Sequence, residues 1–576
     1  MNVLFIVLGA GAIYLCAYLT YGKFLSKKVF QLDDKRVTPA VEMNDGNDYV
    51  PAKKGFLLGQ HFSAIAAAGP INGPILAAVM FGWAPALAWC VLGAILIGGV
   101  HDMGALVASI RYKAKSITEV LRINVTKRAW ILFMIFIWIT LVYVIVAFTD
   151  ITATSFVNIV ELENGQKVLG GGIATSSILY LILPIIMGLL MRKTGLSEGK
   201  ATIIFLPLVG VAIVVGQYIP IYLPFFAMNA AGNGYANPAM AQKAWAVLIL
   251  LYCLVAAVIP MWALLQPRGA LGGYFLYAAL GVAAIGLIFG GFEVKFPAFR
   301  GFTAPNGSPL FPILFITIAC GACSGFHALV SSGTTSKQLN KETDARPIGY
   351  GGMLLEGMVA TVSVACVMIV ATNSDIISKP PNFIYARGIG RFMELIGVPA
   401  VVGISFGLMA FTTFVYDTLD ICTRLGRYII EELTGMKDIK GKAFGTVLTT
   451  VVPIFFIFQT MEVGGKPISA WSIFWGTFGA SNQLLAALAL IGISVWLKNV
   501  IKKPFIWLVS FLPACWMYVM SMWALFIAVY TGWGLGKGHP TIPYVSTILI
   551  ILAILVGVES VISMFGSKKQ AVPAAA

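Results

Sequence analysis

Charge is what this chain has least of. Lys, Arg, Asp and Glu together make up 11% of its 576 residues, while 59% are apolar. Soluble globular domains carry roughly a quarter charged residues. The shortage excludes a string of water-soluble domains and leaves a chain that faces lipid or its own interior. Histidine occurs four times, without the spacing of a zinc motif, so neither a metal nor a cofactor is expected. No G-x-x-x-x-G-K-[ST] is present, which argues against ATP hydrolysis by this chain. No nucleophile and base cluster together, which argues against an enzyme. The eight Cys lie in or beside apolar segments and are expected as free thiols packed like small hydrophobes. Cys320 and Cys323 form a C-x-x-C without the thioredoxin-like surroundings of a redox pair. The net charge of +15 is spread through short loops between apolar stretches, which suits anionic lipid headgroups rather than nucleic acid.

Apolar runs are what the chain has in quantity. Crossing ~30 Å of hydrocarbon takes about 20 helical residues. Fifteen stretches qualify: 2–22, 56–80, 82–110, 130–150, 174–191, 201–222, 244–264, 270–290, 309–335, 348–372, 394–422, 443–460, 471–497, 504–530 and 544–564. The first lacks the basic start and cleavage site of a secretory signal and is expected to be a retained helix. With the N-terminus outside and the spans alternating, 30 of the 39 Lys and Arg fall in inner loops, Arg268 alone in the one before the eighth stretch, and 9 in outer ones. That is the bias that orients helical membrane proteins. The expectation is an all-α polytopic membrane protein, one transmembrane domain over 1–576, multi-pass in the plasma (inner) membrane. Its C-terminus is cytoplasmic, with Lys27 and Lys440 inside and Lys466 outside. The tail 570–576 is expected to be disordered.

Two spans are not plain helices. The second carries Gly69-Pro70-Ile71-Asn72-Gly73-Pro74 near its midpoint. Two prolines remove backbone donors and two glycines loosen the chain around them, so unwinding is predicted at Gly69–Pro74. The ninth carries Cys320-Gly321-Ala322-Cys323-Ser324-Gly325-Phe326-His327, with unwinding predicted at Gly321–Gly325. Unwound backbone survives at membrane depth only inside protein or beside a water-filled cavity. Two interrupted helices of opposite direction, one in each half, point to inverted repeats with a midplane binding site. Gly69, Pro70, Asn72, Gly73, Ser324, Gly325 and His327 are candidate substrate-binding residues, as are Asn482 and Gln483, a polar pair mid-span in the thirteenth stretch.

Ionisable groups at membrane depth are costly and mark function. His61, His101, Asp102, Glu356 and Asp417 are candidates for coupling or for an inner gate. Asp420 and Arg424, four apart, are expected as a structural ion pair. Thr412 and Thr413, adjacent mid-span, are candidate cation ligands, with helix-to-helix hydrogen bonding as the alternative.

These segments resemble the carbon starvation protein A (CstA) family. The resemblance is carried by Gly59-Gln60-His61-Phe62-Ser63 through Gly69-Pro70-Ile71-Asn72-Gly73-Pro74, and by Cys320-Gly321-Ala322-Cys323-Ser324-Gly325-Phe326-His327 through Thr334-Thr335. The stretches 413–420 and 478–487 agree as well. Family members often have His-His where this chain has Gln60-His61. The resemblance implies a plasma-membrane importer used in nutrient limitation: a secondary transporter of small peptides or, as in relatives, a proton-coupled importer of pyruvate or another small carboxylate. A channel and a nutrient sensor are the other readings. The coupling ion is a proton or sodium. The resemblance also implies an APC-type (LeuT-like) fold of two inverted five-helix repeats with extra helices. Mapped here, these are 56–222 and 309–497, with 504–564 as additional helices. In that fold the third helix of repeat two, which holds Thr412 and Thr413, faces the first broken helix across a cation site.

Overall fold

The computed structural model describes the chain apart from residues 47–48, 163–164, 260–262, 437, 464–465, 502 and 566–576, so the tail 570–576 lies outside the described residues. Among the described residues, thirteen unbroken helical segments are long and apolar enough to cross a membrane. They are spans 1 (Val3–Val29), 3 (Trp83–Arg111), 4 (Lys127–Val157), 5 (Gly170–Thr194), 6 (Glu198–Tyr218), 7 (Pro238–Ala256), 8 (Leu265–Gly290), 10 (Glu342–Met368), 11 (Ala400–Thr434), 12 (Ile439–Ile457), 13 (Ala470–Ile501), 14 (Leu508–Gly534) and 15 (Thr541–Phe565). Span 2 is a bent pair, Lys54–Ile65 and Gly69–Phe81, with 47° between its halves. Span 9 is two short helices, Leu310–Thr317 and Gly325–Gly333. Each of the fifteen expected stretches meets one of these elements.

Local chemistry sets several boundaries. The side chains of Thr126, Asn237 and Asp438 accept the first free N–H groups of spans 4, 7 and 12, as N-caps do. Gly195, Gly291 and Gly435 end spans 5, 8 and 11 in the left-handed region, where a side chain would be strained.

The spans sort by burial. Spans 4, 10, 11 and 13 are the most enclosed, while 1, 6 and 12 turn most of their surface outward. Apolar residues on that outward surface, such as Ile203, Val211 and Phe455, suit contact with lipid. Span 13 packs on spans 4 and 14, span 11 on spans 4 and 12, and span 10 on span 2.

Two amphipathic helices are too short to read as apolar spans. Ile117–Asn124 lies between spans 3 and 4, and Pro381–Glu394 lies between spans 10 and 11, packed on span 11. Two β-hairpins complete the loops: Ile159–Glu161 with Lys167–Leu169, and Met461–Val463 with Lys466–Ile468.

Candidate functional site

The break in span 2 falls at residues 66–68, just ahead of the Gly-Pro motif. The expectation that Gly69–Pro74 unwinds is therefore corrected. Those residues form the first turns of the second half-helix, with Pro70 in its first turn and Pro74 inside it. Proline is favoured at a helix start because its missing N–H would lack a partner there anyway. The break in span 9 covers 318–324, and Gly325 opens the following helix rather than belonging to the break. Gly321 sits at φ +83°, open to glycine and costly for other residues.

The two breaks touch. A β-carbon on Gly69 would collide with the Cys320 side chain, and one on Gly321 would lie 3.3 Å from Pro70 Cα. A β-carbon on Gly73 would lie 2.5 Å from the Thr317 carbonyl oxygen. The glycines predicted to loosen span 2 are what lets span 9 pack against it.

A broken helix leaves orphan donors and acceptors that must be satisfied indoors. In span 9 two neighbouring spans do this. Gln483 of span 13 donates through Nε2 to the carbonyls of Phe315 and of Ile318, the latter at 3.0 Å. Asn482 accepts from Phe326 N at 3.0 Å and donates to Ser324 Oγ at 2.9 Å. Glu356 of span 10 accepts from Gly321 N at 3.0 Å. In span 2 the corresponding support is slighter: Thr418 of span 11 donates to the Ala64 carbonyl at 3.4 Å. Both side-chain atoms of Asn72, fully buried, have no partner among the described residues.

Two ionic clusters flank the breaks. In one, Asp102 of span 3 accepts from Nδ1 of His101 at 2.7 Å and from Nδ1 of His327 at 2.9 Å. His327 Nε2 lies 3.4 Å from Glu356 Oε2, and Cys320 adjoins both. In the other, Arg268 of span 8 donates through Nε to Asp417 at 2.5 Å and through a terminal nitrogen to Asp420 and to the Tyr252 hydroxyl. Tyr252 donates to Asp420 at 2.9 Å, and Ser63 of span 2 donates to Asp417.

This second cluster overturns two expectations. Asp420 pairs with Arg268, while Arg424 donates to the carbonyls of Ala256 and Ile259. Arg268 is not a loop cation: span 8 starts at Leu265 and buries it. The connection before span 8 then contains no Lys or Arg in its sequence, 257–264, a gap that points to Arg268 having another task. Asp150 of span 4, a carboxylate at the end of an apolar run with no motif around it, accepts from Gln242 Nε2 at 2.8 Å and from Trp471 N at 2.9 Å, holding the start of span 13.

Of the remaining candidates, His61 bonds Thr335 across 2.9 Å. Thr412 shares a 3.0 Å hydrogen bond with Ser177 of span 5 and donates to its own helix at Met409 O. Thr413 Oγ1 is buried without a partner among the described residues. Against the first half of span 2 a small cavity of about 10 Å³, lined by Gln60, His61, Thr335 and Asp417 among others, has room for about one water. A chamber of about 480 Å³ lies nearby, bordered by Phe56, Arg192, Glu198, Gln266 and Gln338.

The family model described as "Carbon starvation protein CstA" matches residues 2–385 and 369–524. "Peptide transporter CstA" of Bacillus subtilis is 32% identical over 91% of this chain and 90% of its own length. "Pyruvate/proton symporter BtsT" of Escherichia coli is 29% identical over 92% of this chain and 82% of its own. Among solved structures, the Eremococcus coleocola manganese transporter aligns with a TM-score of 0.50 at 12% identity, over 91% of this chain and 99% of that one. At that identity the likeness concerns the fold alone.

Proposed function

The chain belongs to the carbon starvation protein CstA family, and from that premise we propose that it is a secondary active transporter that imports small peptides across the plasma membrane, driven by a proton or sodium gradient. The observation that carries this reading is the contact between two broken spans beside the buried, unpaired carboxamide of Asn72. Leaving such a group unpaired costs about 1–3 kcal/mol, a cost that a bound peptide group offsets by hydrogen bonding. Half-helix ends at mid-membrane are where transporters of this construction hold substrates.

Inverted repeats over 56–222 and 309–497 are part of the proposal. The short helix Ile117–Asn124 follows the second span of the first half, and Pro381–Glu394 follows the second span of the other. That correspondence supports the pairing. Coupling falls to Asp417, with His61 beside it on the small cavity. The cluster of Arg268, Asp417 and Asp420 holds one cation and two carboxylates, so it has a surplus negative charge that a proton or sodium ion neutralises. Thr412 and Thr413 remain proposed cation ligands, with Thr413 the one whose hydroxyl has no partner among the described residues.

A small-carboxylate symporter is the second reading, favoured by the relative named as a pyruvate/proton symporter. Uptake of labelled dipeptides and of pyruvate by the purified protein in liposomes, under imposed proton or sodium gradients, separates the two. Absence of gradient-driven uptake of either would overturn both. We also propose the N-terminus outside and the C-terminus inside. Single cysteines at positions 440 and 537 should be labelled from opposite faces, and labelling from one face would contradict the orientation.

A further inference from the structure

We propose that Cys320, His327 and Glu356 form a buried binding site for a single divalent transition-metal ion of the zinc type. One ligand atom from each lies within 4.8 Å of the others, and all three residues are buried. Cys320 lies inside the break of span 9, His327 lies just beyond it, and Glu356 comes from span 10.

The hydrogen bonds fix the imidazole's orientation. A carboxylate only accepts, so His327 donates from Nδ1 to Asp102. In the neutral ring Nε2 is then a lone pair, and it faces Glu356 Oε2 at 3.4 Å. Among the described residues neither atom makes a hydrogen bond. Two acceptors pointing at each other in a dry interior repel, and a cation between them converts that repulsion to attraction. Charge leads to the same place. Asp102 and Glu356 bring two carboxylates, and no Lys or Arg bonds either among the described residues. With the Cys320 thiolate the site carries three negative charges, and a divalent ion offsets two of them.

The donor set selects the kind of ion. Thiolate and imidazole suit zinc and its neighbours, whereas magnesium and calcium take oxygen. Metal–ligand bonds of about 2.0–2.3 Å in a tetrahedron set ligand atoms roughly 3.3–3.7 Å apart, and the His327–Glu356 separation falls in that range. The surroundings fit a metal as well. Asp102 on the far ring nitrogen makes the carboxylate–histidine–metal arrangement that orients ligating imidazoles. Gly321 N holds the other oxygen of Glu356, and Asn482 Nδ2 lies 3.7 Å from Cys320 Sγ, a donor that favours the thiolate. The ion would tie the break and the helix after it to span 10. No sequence spacing reveals this trio, because the break and span 10 bring it together from distant positions. The site stands independently of the transport reading.

The test is metal analysis of the full-length purified protein, washed with a weak chelator, by mass spectrometry. One zinc per chain is expected. Cys320→Ser should lose it, and Cys323→Ser, outside the trio, should keep it. Asp102→Asn should weaken binding about 10–100-fold. Cobalt(II) added to stripped protein should give visible d–d bands and a thiolate charge-transfer band. That measurement needs no variant, so it stands if Cys320→Ser fails to fold. Wild-type protein without stoichiometric metal, whose Tm does not rise with added zinc or cobalt, would overturn the proposal and leave a proton between His327 and Glu356. Equal metal in wild type and Cys320→Ser would overturn it too.

Discussion

Consider Arg268→Leu. The guanidinium is fully buried and holds two carboxylates, Asp417 and Asp420, together with the Tyr252 hydroxyl. Its loss leaves two buried negative charges side by side with nothing to balance them. Removing one partner of a buried ion pair costs about 3–5 kcal/mol, and the second carboxylate pushes the effect to the upper end. Asp420→Asn behaves differently, because it leaves one guanidinium with one carboxylate and keeps an acceptor for Tyr252. Its cost should be smaller, about 1.5–3 kcal/mol for the charge-assisted hydrogen bonds it weakens. The double variant has one uncompensated charge rather than two, so it should be more stable than Arg268→Leu alone. The four proteins form a double-mutant cycle, read as thermal denaturation midpoints in detergent, with a coupling of about 1–3 kcal/mol expected. Additive effects, or an Asp420→Asn as damaging as Arg268→Leu, would refute the charge arithmetic.

Asn72→Leu removes two unpaired buried polar atoms at similar volume, so Tm should rise, by up to about 1–3 kcal/mol of stability, while uptake in liposomes falls; a drop in Tm would mean that Asn72 has a structural partner. Gln483→Leu strips the donor from two buried carbonyls and should lower stability by about 1–3 kcal/mol for each one orphaned, measured by thermal denaturation. Gly321→Ala places a β-carbon at φ +83° and 2.8 Å from Ala360 Cβ, costing upwards of about 1–2 kcal/mol with loss of uptake. Gly281→Ala, inside span 8 with open space around it, should leave uptake unchanged and raise stability by up to about 1 kcal/mol, the cost of a glycine inside a helix.

The membrane-spanning architecture was legible in the sequence because one property, apolar length, decides it. Broken span 9 was legible for the same reason: seventeen helical residues around a seven-residue gap still read as one apolar run. The position of the break in span 2 was not. Proline reads equally as a disruptor and as a helix start, and only the contact of Gly69 and Gly73 with span 9 distinguishes them. Arg268 was misplaced because charge near a span's end looks like a loop residue until Asp417 and Asp420, about 150 positions later, are seen to hold it. The helix Pro381–Glu394 is too short and too polar on one side to register as a span, yet most of it is buried.

The bonds from Asn482 and Gln483 to span 9 join residues 156 to 168 positions apart. At a synthesis rate of about 5–20 residues per second, the later partner emerges roughly 8–34 s after the earlier one. For that time the carbonyls of Phe315 and Ile318 and the amide of Phe326 have no permanent partners, and neither half of span 9 is long enough to cross a bilayer alone. Span 9 must therefore wait at the edge of the insertion machinery, or in contact with water, until span 13 arrives. A ribosome stalled after span 12 would leave a chain whose ninth span is still open to water-soluble thiol reagents at Cys320 and Cys323, and one stalled after span 13 would not.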